Sequence, residues 1–169
     1  MPKSEDHSPK SNSAGFTLVE VLVAILIFGA SFAATSYVLT LNLRSAAAIR
    51  NNFIASGLVQ EGIEVVRNIR DRDWFLDNPF GTSIPDGTYR VQWNSNSLIA
   101  LGVNPRLKKD SNSGIFSYDS GSDTIFKRTV NISTPQAGVE KRIIVTVSWT
   151  ERGGFEKSLS AEEHLFNWK

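Results

Sequence analysis

The residues able to do chemistry are few. Cysteine is absent and the only histidines are His7 and His164, far apart in the chain. Thiolate nucleophiles, disulfides and Cys-ligated metals are thereby excluded, and a two-histidine site is not expected. The chain contains no GxSxG, no P-loop and no HExxH, so no catalytic set is predicted. Asp71, Asp73 and Asp77 have a spacing that could suggest calcium. The neighbouring Arg70 and Arg72 offer countercharge, so a solvated turn is expected and no metal or cofactor is assigned. One acid stands apart: Glu20 is the only charged residue between Phe16 and Leu43.

That carboxylate defines the problem the surrounding elements must solve. Phe16 to Leu43 is otherwise apolar and as a helix would span roughly 42 Å, more than the ~30 Å hydrocarbon core of a bilayer. A carboxylate at mid-depth costs something like ~2–3 kcal/mol, less toward the interface. A cationic partner at the same depth would offset that cost. Ala14-Gly15, a small-residue pair, lies before the apolar run, whereas a secretory signal is cut after it. Cleavage between Gly15 and Phe16 would leave the helix on the mature chain and create a new α-amino group on Phe16. A helix cannot easily fold that amine onto its own fifth residue, but an axially displaced neighbour could present its amine to Glu20. The pair would then set subunit register.

Gly15-Phe16-Thr17-Leu18-Val19-Glu20 followed by VLVAILIF resembles the N-terminal signal of type IV pilins and type II secretion pseudopilins. The resemblance implies cleavage after Gly15 and N-methylation of Phe16 by a prepilin peptidase, and an assembly role for Glu20. It also implies an α+β, pilin-like fold: one very long N-terminal α-helix packed on a C-terminal antiparallel sheet. The implied partners are other pilin or pseudopilin subunits, an inner-membrane assembly platform with its ATPase, and membrane lipid before assembly. The implied location is the cytoplasmic membrane with an extracytoplasmic C-terminal domain, then a surface or periplasmic filament. The absence of cysteine and of a kinking proline in the apolar half points to a minor pilin or pseudopilin. Relatives unwind locally on assembly, which Gly29 would permit.

The expected organisation is a cleaved leader over 1–15, a transmembrane or filament-core helix over 16–43, and an amphipathic continuation over 44–73. A connecting loop region with a short strand then covers 74–113, and the antiparallel sheet covers 114–169. Net charge is +1, too little for a general pull toward polyanions. In the continuation, Ile54, Leu58, Gly62, Val65 and Ile69 share a face at 100° per residue. Gln60, Glu61, Glu64, Arg67 and Asp71 gather opposite, and Glu64–Arg67 and Arg67–Asp71 have ion-pair spacing. Helix is expected to about Arg70. Ile49 and Phe53 lie off the core stripe and are candidate contacts to adjacent subunits. Gly62 lies on that stripe, where close packing is expected.

Strand patterns follow in TYRVQW, GIFSY, TIFKRTVNI and KRIIVTVSWT, the last with Ile143, Val145, Val147 and Trp149 on one face. A hairpin at Glu151–Gly154 leads to a final strand from Phe155, for about four to six strands in all. Arg67, Arg70 and Arg72 could meet DNA phosphates, as in a competence pseudopilin. They more simply complement the helix C-terminus, so nucleic acid is not expected. Asn131-Ile132-Ser133 is a sequon inside a strand pattern. The competing class is a single-pass, membrane-anchored extracytoplasmic binding domain with an uncut N-terminus.

Overall fold

The computed structural model describes residues 15–151 and 153–168. One α-helix, α1 (Leu18–Phe75), is followed by seven strands, the expected α+β arrangement of one long helix and a C-terminal antiparallel sheet. The chain divides into two compact units, one ending at Ala46 and the other beginning at Ala47.

The first unit is the apolar part of α1. It is long and apolar enough to cross a membrane, and none of its most apolar stretch is buried. Thr35 and Thr40 return their hydroxyls to the carbonyls of Ser31 and Ser36 at 2.9 and 3.0 Å. Their polar atoms are therefore satisfied within the helix, which is what a helix in lipid requires.

In the second unit α1 lays one face on the sheet. Leu58, Val59, Val66 and Ile69 are buried there against Ile143, Val145, Val147 and Trp149. Gly62 lets the helix approach closely, because a Cβ there would lie 2.8 Å from Val145 Cγ1. The helix runs past the expected end near Arg70 to Phe75. Asp77, in the left-handed region at φ 56°, closes it. The Asn78 amide donates to the Asp73 carbonyl at 2.9 Å and the Asp77 amide to the Trp74 carbonyl at 3.2 Å, a Schellman stop.

The strands are β1 (Gly87–Arg90), β2 (Ile99–Ala100), β3 (Arg106–Lys109), β4 (Phe116–Ser117), β5 (Ser122–Gln136), β6 (Glu140–Thr150) and β7 (Glu156–Phe166). All pairings are antiparallel. β5 pairs with β6, from Lys127↔Ser148 to Gln136↔Glu140. It also pairs with β1 at Gly87↔Ile132 and with β3 at Arg106↔Lys127. β2 joins β1, β4 joins β3, and β7 follows β6 from Thr150↔Glu156 to Glu140↔Phe166.

Among the described residues seven strands replace the four to six expected, and residues 74–113 hold three short strands rather than one. Segments of two to four residues are too short to display a period of two. β1 and β3 pair with the edge of β5, and β2 and β4 then add to β1 and β3. Of GIFSY only Phe116–Ser117 pairs.

Candidate processing and assembly site

Gly15, Phe16 and Thr17 precede the helix and are exposed, Phe16 at 83%. A Cβ on Gly15 would meet nothing within 4 Å. The fold itself therefore sets no demand for glycine there. Thr17 caps the helix: its hydroxyl oxygen accepts from the Glu20 amide at 3.2 Å, and its carbonyl accepts from the Val21 amide at 3.2 Å. This puts Glu20 at the third helical position, where a carboxylate sits favourably against the positive end of the helix dipole. The Thr-x-x-Glu spacing is itself a sequence signal for this start, one that attention to the acid alone passes over.

Glu20 is exposed among apolar neighbours, with Val19 and Val21 beside it. Among the described residues its carboxylate has no ion-pair partner. One helical turn brings Glu20 within about 6 Å, along the axis, of the level of Phe16. Gly29 lies in unbroken helix with open space where a side chain would go.

In the second unit, Ile49 and Phe53 lie one turn apart on α1, at 69% and 81% exposed. They form an apolar strip on the side the sheet does not cover.

Three polar residues of the second unit behave differently from the sequence expectation. Arg128 lies on β5 between Phe126 and Val130 in the inward alternation and is wholly buried. Its guanidinium donates to the Leu58 carbonyl and the Glu61 carboxylate at 2.9 Å each, and to the Val91 carbonyl at 2.5 Å. Glu61 is thus not simply part of a solvated face: it caps a cation inside the core. The signal available was an arginine at an inward position of a strand pattern, with no partner nameable from sequence.

Asp73 is the second. It is 2% exposed rather than part of a solvated turn, accepting from Ser83 and from the Asn78 amide group. Burial pushes its carboxyl up, but the hydrogen bonds from Ser83 and Asn78 outweigh burial and hold it below its ordinary value. Arg67 is the third. It pairs with Glu64 as its spacing predicts, at 2.5 Å, but its second nitrogen reaches Glu163 on β7 at 2.6 Å. Asp71 pairs with Arg70 instead of Arg67, at 2.5 Å.

Arg70 also lies over the Trp74 ring, 4.3 Å from its centroid. Arg72 donates to the Asn96 carbonyl and side chain. Arg67 and Arg72 are thus engaged in tertiary contacts, and Arg70 in contacts within its own helix.

Residues 10–36 match the family model of the prokaryotic N-terminal methylation motif, a stretch containing Gly15, Phe16 and Glu20. No curated protein and no solved structure gives a significant match to the chain.

Proposed function

We infer, from the prepilin-type methylation motif that makes this chain a type IV pilin-like protein, that it is a minor pilin or pseudopilin that works by polymerising. Prepilin peptidase cuts between Gly15 and Phe16 and N-methylates Phe16. The leader over 1–15 is lost, and residues 16–43 serve first as a membrane anchor and then as filament core. The domain beyond lies outside the cytoplasm. An assembly platform and its ATPase, outside this chain, extract the subunit from lipid and stack it on its neighbours.

The observation that carries this reading is Glu20. It is a carboxylate without an ion pair among the described residues, on a helix that otherwise suits hydrocarbon. In lipid that group is costly, and a neighbour's new Phe16 amine supplies the missing charge. Apolar surface solvated by lipid becomes surface packed on other helices, and the acid gains its partner. Ile49 and Phe53 extend the contact beyond the membrane-length segment.

The test is co-expression with a prepilin peptidase and the assembly machinery. Mass spectrometry should find mature protein starting at Phe16. Gly15→Ala should leave the leader on, and because a Cβ there meets nothing, misfolding would not explain that block. Glu20→Ala should be processed normally yet enter filaments at under a tenth of the native level. A Met1 form persisting beside an active peptidase, or Glu20→Ala entering filaments at native efficiency, would overturn the proposal.

A further inference from the structure

We infer that Arg128 is a positioning residue: with Glu61 it fixes the rotation of helix α1 on the sheet, so that Ile49 and Phe53 remain outside. The inference deepens the subunit reading and rests on it for the purpose of that outward strip.

The need arises because apolar residues are not confined to one side of this part of the helix. Phe53 is 81% exposed and Leu58 only 3%, yet both are large and apolar. They lie about 140° apart around the axis. Hydrophobic burial is non-directional. A rotation that turned Phe53 inward would expose Leu58, Val59, Val66 and Ile69, so packing sets which face lies on the sheet, but contacts without direction fix the exact rotation less sharply. A buried guanidinium fixes it. Its bonds to the Leu58 carbonyl and the Glu61 carboxylate lie on one side of α1, less than one turn apart in sequence. Its bond to Val91 ties the same group to the segment after β1.

Rotating the helix would carry Leu58 and Glu61 away and leave a cation unpartnered in the core. That adds the cost of an unpartnered buried charge to the packing lost. Gly62 serves the same contact, since a Cβ there would lie 3.4 Å from Arg128 Cδ. Charge-assisted bonds of this kind are directional where packing is not. Arg128 therefore adds a directional restraint to the face that packing selects.

The absence of native cysteine makes the test clean. Full-length chains carrying Phe53→Cys or Val59→Cys are labelled in membranes with a water-soluble maleimide. With Arg128 present, position 53 should react at least tenfold faster than position 59. In Arg128→Met/Glu61→Gln, the domain should stay protease-resistant while that ratio falls about fivefold. Arg128→Lys, which keeps the charge, should recover part of it.

A folded double variant with an unchanged ratio would overturn the inference. Should the double variant become protease-sensitive, Glu61→Gln alone decides. The Glu61 side chain is partly exposed, so the fold should persist and the ratio should drop about twofold, and an unchanged ratio refutes the role. The labelling ratio reads helix rotation in chains that never polymerise. Loss of filaments with Phe53→Ala reads the subunit contact instead, so failure of one leaves the other standing.

Discussion

Ser83 donates twice to Asp73, from its amide at 2.8 Å to one carboxylate oxygen and from its hydroxyl at 2.7 Å to the other. Asn78 adds a third bond at 3.1 Å. The last turn of α1 is thereby tied to the loop that starts the sheet. Asp73→Ala should cost about 1–3 kcal/mol, because three hydrogen bonds to a buried carboxylate are lost. Thermal unfolding followed by near-ultraviolet circular dichroism measures it. The folded carboxyl is held below its ordinary 3.8. Its contribution is therefore full above that value and lost as pH falls through the lower folded value. Asp73→Asn should remove this part of the acid sensitivity.

Gly57 and Gly62 lie on the same helix but should respond oppositely to alanine. Gly57 is exposed, and a Cβ added there would meet nothing within 4 Å, so Gly57→Ala should stabilise by about 0.5–1 kcal/mol through helix propensity. Gly62→Ala would drive a Cβ to 2.8 Å from Val145 Cγ1. It should destabilise by about 1–3 kcal/mol, the usual cost of overpacking. Parallel denaturant titrations of the two variants test the difference in sign.

His164 lies between Glu140 and Glu162 on the outer face of β6 and β7, and Glu162 also binds Arg142 at 2.6 Å. Hydrogen bonds to Glu140 and then Glu162 raise the imidazole above its ordinary 6.5. Arg142, then His164, lower Glu162 from 4.5 to about 2. The signs differ. The histidine's contribution is full below about 6.5 and is lost as pH rises through its higher folded value. The glutamate's is full above 4.5 and is lost as pH falls through about 2. All of these groups face solvent, so the effect should weaken with salt. Proton NMR should show the His164 midpoint above 6.5, moving down in Glu140→Gln. A midpoint at or below 6.5 in the native chain would contradict the cluster.

Thr17→Ala should remove the hydroxyl that accepts from Glu20 and fray the first turn by about 1 kcal/mol. In detergent micelles the Glu20 amide should then exchange its hydrogen several-fold faster. Thr17→Ser should restore protection. Exchange unchanged in both variants would show that the cap contributes nothing.

The long helix, its apolar first part and the face carrying Leu58, Gly62, Val65 and Ile69 were all legible from the spacing of side chains. So were β5 and β6, where alternation runs long enough to fix which residues face inward. Ile143, Val145, Val147 and Trp149 are all buried. Of the short strands, β1 and β4 fall within the TYRVQW and GIFSY patterns, but β2 and β3 were not legible, because their pairing depends on edges that exist only once β5 and β1 are in place. Arg67 illustrates the same limit. Its bond to Glu64 follows from helix geometry, whereas its bond to Glu163 spans 96 residues of chain.

Features local in the chain follow from residue order alone: the motif around Gly15, Phe16 and Glu20, the membrane-length helix and the strand faces. These depend on the order of residue types and the fixed repeats of helix and strand. Which charges lie inside depends on the folded chain. Arg128 and Asp73 are buried only because distant carbonyls, carboxylates and hydroxyls are brought to them. Burying a charge is tolerated only where such partners converge, and convergence is a property of the folded chain.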